Sequence, residues 1–250
     1  MSDLPLAGRV ALVTGASRGI GFAAAMALGR LGAHIVATGR ATRLLEGLDD
    51  ALKAEGLEGA TLVPFNLRDF PAIDRLGQAI FERWGRLDIL VGNAGQLGQL
   101  GPIGHVKPDA WAELLDVNLT ANWRLIRAMD PLLRIAEAGR AVFLTSGAAR
   151  RYRAYWGPYS VTKAALEALA KSYAAELAET NVRVNLFNPG PVRTAMRAKA
   201  MPGENPETLP SPEDVAARLI ELCLPSCALQ GETIDFAAAT PPRTGSSTSA

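Results

Sequence analysis

Two short runs hold residue types suited to moving a proton beside a bound phosphate. The first is Tyr159-Ser160-Val161-Thr162-Lys163. Residues four apart share a helix face, so on a helix the phenol and the ammonium lie side by side. A tyrosine with an ordinary pKa near 10 is a poor acid–base catalyst at neutral pH unless a cation stabilises its phenolate. Lys163 is placed to be that cation; on an exposed helix the same pair is only a surface contact. The second run is Thr14-Gly15-Ala16-Ser17-Arg18-Gly19-Ile20-Gly21, directly after the β-branched stretch Arg9–Thr14. Its glycines let the backbone turn tightly and approach a phosphate. The following helix start adds free N–H groups and a partial positive charge. The spacing, Gly-x3-Gly-x-Gly, is one residue longer in its first gap than the common dinucleotide fingerprint.

Three smaller signals sit where the same ligand would reach. Thr145-Ser146-Gly147 ends the strand-like run Ala141–Thr145, and Asn93-Ala94-Gly95 follows the strand-like run Leu87–Val91. Open α/β sheets bind ligands beyond the carboxyl ends of their strands, which places Ser146 in the crevice of the glycine loop. Taken alone, it reads better as a serine capping its own turn. Asn118, in Asp116-Val117-Asn118-Leu119, stands near a helix start, where an N-cap is the simplest role.

The elements that must position these residues alternate along nearly the whole chain. Strand-like runs are Arg9–Thr14, His34–Thr38, Ala60–Phe65, Leu87–Val91, Ala141–Thr145, Val182–Phe187 and Thr233–Phe236. Helical patterns occupy Gly19–Leu31, Ala41–Glu55, Phe70–Trp84, Asp109–Asp116, Leu119–Ala136, Tyr159–Leu177 and Pro212–Leu224. The strands read as continuous apolar runs, as a parallel sheet covered on both faces requires. The expectation is an α/β fold: a doubly wound, mostly parallel, seven-stranded Rossmann-type sheet with helices on both faces. Residues 1–240 read as one domain. Within it, 194–211 is a Pro- and Gly-rich stretch long enough to be a substrate lid, and 241–250 has the composition of a flexible tail.

The 250 residues suffice for a sizeable core, and 48% apolar with 20% charged residues excludes global disorder. A net charge of +1 offers no field of one sign for nucleic acid or a membrane surface. Two cysteines, Cys223 and Cys227, and two histidines exclude a disulfide scaffold and argue against a Cys/His metal site. Neither a secretory signal nor a run of about 20 apolar residues is present, so a cytoplasmic protein is expected.

Taken in order, these motifs resemble those of the short-chain dehydrogenase/reductase family in its single-domain form, over roughly residues 6–236. The resemblance implies Tyr159 as general acid/base and Ser146 as the hydrogen-bond partner of the substrate carbonyl or hydroxyl. It implies that Lys163 holds the nicotinamide ribose and lowers the tyrosine pKa, and that Asn118 positions a relay water. Cofactor contacts would come from Gly15, Ser17, Arg18, Gly19, Ile20 and Gly21, and from Asn66 with Leu67 beside the adenine. Asn93, Ala94 and Gly95 would follow near the adenosine ribose, and Pro189, Gly190, Val192 and Thr194 near the nicotinamide. Two departures are Gly92 before Asn93, where the family usually has a second Asn, and Gly147 after Ser146, where a second serine is frequent.

NAD-specific relatives end the second strand on an acid that grips the ribose hydroxyls. Here that position is Gly39, followed by Arg40, and no acid occurs between Leu4 and Leu45. Guanidinium groups match a phosphate bidentately, so NADP (NADPH) is expected over NAD. Tyr152, Tyr155 and Trp156 either line the cleft for an apolar substrate or pack the helix start. Arg150, Arg151 and Arg153 either attract an anionic substrate or form a solvated charge run. The expected activity is hydride transfer between NADP(H) and a small carbonyl or alcohol substrate. The alternatives are a non-catalytic dinucleotide sensor on the same fold and, more weakly, a nucleotide-sugar enzyme. Apolar residues on more than one face of Leu119–Ala136 and Tyr159–Leu177 point to a homodimer or homotetramer.

Overall fold

The computed structural model describes residues 4–236; the tail assigned to 241–250 lies outside them. In chain order the elements are β1 (Val10–Thr14), α1 (Gly19–Arg30), β2 (His34–Gly39), α2 (Thr42–Ala54), β3 (Thr61–Pro64), α3 (Phe70–Trp84), β4 (Ile89–Gly92) and α4 (Pro108–Leu115). They continue with α5 (Ala121–Ile135), β5 (Arg140–Leu144), α6 (Ala148–Arg151), α7 (Gly157–Glu176), β6 (Arg183–Asn188), α8 (Ala195–Ala200), α9 (Pro212–Leu219) and β7 (Thr233–Asp235).

The strands form one sheet in the order β3-β2-β1-β4-β5-β6-β7, with every neighbouring pair parallel. The expected sheet is thus present, and wholly parallel. Every residue of β1, β4 and β5 is buried, which is why their sequences are apolar without a break. Successive side chains still point to opposite faces. Ala11, Val13, Ile35, Ala37 and Val91 pack with α1, α2 and α9, while Val10, Leu12, Val36, Leu90 and Phe143 pack with α3, α5 and α7. Each large side chain fully removed from water contributes about 1.5–3 kcal/mol. From β1 the chain winds out to β3 and then crosses back to β4, so the connections after β1 and β4 leave in opposite directions. That divergence opens a crevice at the carboxyl ends of both strands.

Side chains cap the starts of α3 and α9. Asp69 accepts from Ala72 N at 3.2 Å at the head of α3, and Ser211 and Asp214 form a reciprocal capping box on α9. The head of α1 has neither a side-chain cap nor an acid in its first turn.

The two helices expected at Asp109–Asp116 and Leu119–Ala136 run on as one. A π-helical turn, Asp116–Thr120, joins α4 to α5, and Ala121 N reaches back five residues to Asp116 O. Asn118 lies inside that turn and is no N-cap. The stretch 194–211 is also more ordered than its composition suggests. It contains α8 and a 3-10 turn at Pro206–Thr208, and is tied by Arg197 to Glu204 at 2.5 and 2.6 Å and by Arg193 to Glu207 at 3.2 Å. Both cysteines are free thiols, and burial pushes Cys223 up to about 12, in keeping with inert core residues. Among the described residues no helix is long and apolar enough to cross a membrane.

Candidate active site

A cavity of about 450 Å³ lies at the carboxyl ends of β1, β2, β4 and β5. Gly15, Ser17, Arg18, Gly19, Ile20, Arg40, Asn66, Leu67, Asn93, Ala94, Gly95, Tyr159, Lys163, Pro189 and Thr194 all line it. These residues come from loops up to 180 positions apart in the chain, and they converge because every strand that precedes them runs the same way.

The glycine loop is held rigidly against the loop after β4. Asn93 Nδ2 donates to Thr14 O at 2.8 Å and to Gly15 O at 3.2 Å. The Thr14 hydroxyl oxygen accepts from the N–H groups of Asn93 and Ala94, both at 3.1 Å. A Cβ at Gly21 would fall 2.3 Å from Asn93 Nδ2 and 2.3 Å from Gly15 O. Glycine is obligatory there for packing. Gly21 therefore supports the loop from behind and does not face the cavity. Gly15 and Gly19 adopt left-handed φ of 65° and 57°, open to glycine at little cost. With the α1 N-terminus uncapped beside them, the free N–H groups and the helix dipole make an anion cradle. The chain's own residues thus fit a dinucleotide pyrophosphate.

At the other end of the cavity stands α7, which begins at Gly157-Pro158, a proline suited to a first helical turn. Tyr159 is buried, with the Ser146 hydroxyl close to its phenol. Burial pushes the Tyr159 pKa up, and the Ser146 contact opposes this only in part. That corrects the expectation that Lys163 lowers it. The Lys163 ammonium lies 5.9 Å from the Tyr159 ring centroid and donates to Leu144 O at 2.7 Å, so its charge is directed at a backbone carbonyl. Burial pulls Lys163 itself down to about 8. Ser146 is fixed by Ala148 N, which donates to its Oγ at 3.2 Å.

Asn118 stands one layer behind. Its Oδ1 accepts from Gln96 N at 2.8 Å, and Nδ2 donates to Gln96 O at 2.9 Å and Thr162 Oγ1 at 3.0 Å. The π turn aims this side chain at the loop after β4 and at α7, locking the two together.

The sequence matches the family described as short chain dehydrogenase over residues 9–205. The chain belongs to that family. It is 37% identical over 209 residues to the uncharacterized oxidoreductase YciK of Escherichia coli, covering 83% of this chain and 82% of that one. A short chain dehydrogenase of Salmonella enterica serovar Typhi superimposes with a TM-score of 0.90 at 34% identity, covering 94% and 98% of the two chains. A structure from Escherichia coli CFT073 in complex with NADPH gives 0.88 at 36% identity, with 94% and 98% covered.

Within this short-chain dehydrogenase chain, four more of the expected site residues stay off the cavity wall. Ser146 borders it without lining it, Asn118 is buried behind it, Val192 is buried in the core beside α1, and Gly190, with a φ of 66°, shapes the turn after Pro189. Lining residues that the sequence reading passed over include Thr38, Phe65, Gln96, Val117, Thr145, Arg193 and Met196. Phe65 and Gln96 directly adjoin motifs already singled out, and that adjacency was the available signal. On the open side of Tyr159, Leu97 and Ala148 pack with it, flanked by Leu100, Trp156 and Ala200. Trp156 meets the Tyr159 ring edge-on at 6.1 Å. Tyr152 and Tyr155 instead point to solvent, 77% and 63% exposed, from left-handed backbone. Arg150 pairs with Asp235 at 3.3 Å, which takes it out of the free cationic cluster.

Proposed function

We propose that this chain is an NADP(H)-dependent oxidoreductase that interconverts a carbonyl and a secondary alcohol, with Tyr159 as general acid/base. One observation carries the reading: Tyr159, with the Ser146 hydroxyl near its phenol and Lys163 one turn on, shares a cavity with an uncapped helix start and a glycine loop. The relative holding NADPH supports the choice of cofactor.

When bound, the nicotinamide supplies or accepts the hydride. Tyr159 gives its proton to the carbonyl oxygen, and its raised pKa keeps the phenol protonated at neutral pH, ready for that step. The Ser146 hydroxyl steadies the same oxygen. Lys163, anchored by Leu144 O and still mostly charged at pH 7, would hold the nicotinamide ribose. Asn118 uses its whole amide to hold Gln96 and Thr162, so its part in proton relay is to place the surrounding main chain. Asn66 and Leu67 would hold the adenine end, and Arg40 and Arg18 would pair with the 2′-phosphate. The substrate's carbon substituent lies against Leu97, Ala148 and Trp156, an apolar wall suited to an alkyl or aromatic group. Residues 194–211, with α8 over the cavity mouth, act as the lid, and residues 1–240 form one domain.

The test is a panel of ketones, quinones, acyl thioesters and aldehydes, run with NADPH and with NADH and followed by loss of reduced nicotinamide. NADPH consumption that Tyr159→Phe abolishes is the expected result. Tight NADPH binding without turnover in either direction across the panel would refute the reading and leave a dinucleotide sensor.

A further inference from the structure

A single buried amide lies between the loop that carries Ser146 and the turn that carries Pro189. Asn188 ends β6 and is 8% exposed. Its Oδ1 accepts from Gly147 N at 3.0 Å and from Gly190 N at 3.2 Å, while Nδ2 donates to Asp235 Oδ1 at 2.8 Å. Two N–H donors on one side and a carboxylate on the other allow only one orientation of the amide. The same Asp235 oxygen accepts from Arg150 Nη2 at 3.3 Å. Arg150 Nε lies 3.5 Å from Glu167 Oε1, which accepts from Thr145 Oγ1 at 2.8 Å.

Strand pairing cannot do this work. The ladder between β5 and β6 closes with Thr145 N donating to Phe187 O at 2.9 Å. Beyond it the two segments separate, and among the described residues neither Gly147 N nor Gly190 N has a backbone partner. Asn188 serves both. The bond to Gly190 is a local turn that Asn-Pro-Gly makes by itself. The reach to Gly147 and the grip of Asp235 come from β5 and β7, on either side of β6.

We propose that Asn188, held by Asp235, is a positioning residue for the reaction assigned above, on which this inference rests. It sets the separation of Ser146 from the Pro189-Gly190 turn, and with it the distance from the substrate carbonyl to the hydride-bearing ring. Reacting atoms must lie about 3–3.5 Å apart, and a displacement near 1 Å costs up to about 10²-fold in rate.

Three variants test it: Asn188→Leu, Asn188→Asp and Asp235→Asn. The leucine is close in volume and bonds to neither glycine. Its kcat falls roughly 10- to 100-fold, and the isotope effect with deuterated NADPH rises as hydride transfer becomes limiting. NADPH affinity is retained, because the phosphate loop is at the far end of the cavity. A purely structural role would not move the isotope effect. Asn188→Asp keeps both acceptors but sets a second carboxylate against Asp235, beside Arg150 and within reach of Glu167. Two carboxylates that close share a proton, so its activity relative to wild type climbs as pH falls and fails as pH rises. Asp235→Asn keeps an acceptor for Asn188 and retains most of kcat. Hydrogen exchange gives a readout without turnover: protection of 146–151 and 189–196 drops together in Asn188→Leu. Unchanged kcat and isotope effect in Asn188→Leu, or unchanged exchange in both segments, would overturn the proposal. If Asn188→Leu does not fold, a pH-independent activity ratio for Asn188→Asp does the same. A wild type that turns over no carbonyl refutes the proposed function instead, and the exchange data still decide whether Asn188 bridges the two segments.

Discussion

Exchanging Gly39 for aspartate should convert the cofactor preference. Gly39 ends β2 with ordinary negative φ, and a Cβ there would meet Leu45 Cδ2 at 3.3 Å and Ser17 Cβ and Oγ at 3.4 Å. A side chain therefore fits with a small adjustment of the leucine tip. Its carboxylate would lie near Ser17, at the end of the cavity that Arg40 and Arg18 flank. Two unit charges 4 Å apart in water repel by about 1 kcal/mol, so a 2′-phosphate dianion would lose about 2 kcal/mol. NADH would recover a hydrogen bond to its ribose hydroxyls worth about 1 kcal/mol. Together these move the NADPH/NADH ratio by roughly 10²-fold. Arg40→Ala should act on NADPH alone. One exposed charge-assisted contact, taken at the low end of about 1.5 kcal/mol, corresponds to about ten-fold. Neither Arg18 nor Arg40 forms an ion pair among the described residues, so both charges are available. The assay is kcat/KM with each nucleotide at two ionic strengths, and salt should erode the wild-type preference for NADPH. Equal or better use of NADH by the wild type refutes the argument. An unchanged ratio in both variants shows that other residues read the phosphate.

Tyr159→Phe should lower kcat by about 10²-fold or more while nucleotide titration stays unaltered, because the ring still packs on Trp156 and only the proton is lost. Wild-type turnover by that variant refutes the assignment. Lys163 has a folded pKa near 8, below its ordinary 10.5, so the cost of burying its charge is present below pH 8 and fades as pH rises above it. Lys163→Met should therefore lose cofactor affinity and rate but gain about 1 kcal/mol of stability at pH 7, seen as a rise of a few degrees in Tm; a lower Tm contradicts this. Asn93→Ala removes the bonds to Thr14 O and Gly15 O and should weaken NADPH binding about 30-fold by isothermal titration, at roughly 1 kcal/mol per lost bond. Unaltered affinity would show that the glycine loop holds its shape alone. Trp123 of α5 and Val161 of α7 are 44% and 41% exposed, so light scattering at micromolar concentration should give at least twice 26.4 kDa. A monomer mass rules out pairing through these helices.

What the amino-acid order settled by itself is what depends on neighbours along the chain. Apolar runs without alternation marked β1, β4 and β5 because both faces of those strands are covered. The Gly-x3-Gly-x-Gly turn and the four-residue spacing of Tyr159 and Lys163 were readable because turn and helix geometry are local. Three features were settled only by folding. Asn118 read as a cap because nothing nearby in sequence announces a π turn; its real partners, Gln96 and Thr162, are 22 and 44 residues away. Tyr159 was expected to have a lowered pKa on the strength of one neighbouring lysine. Desolvation, which depends on everything packed around the ring, has the larger effect and reverses the sign. Trp156 joins the wall beside Tyr159 while Tyr152 and Tyr155 face solvent, though the three lie within five residues. Left-handed backbone at both tyrosines turns their side chains outward. Composition names the groups in a segment, whereas burial and direction are properties of the packed whole.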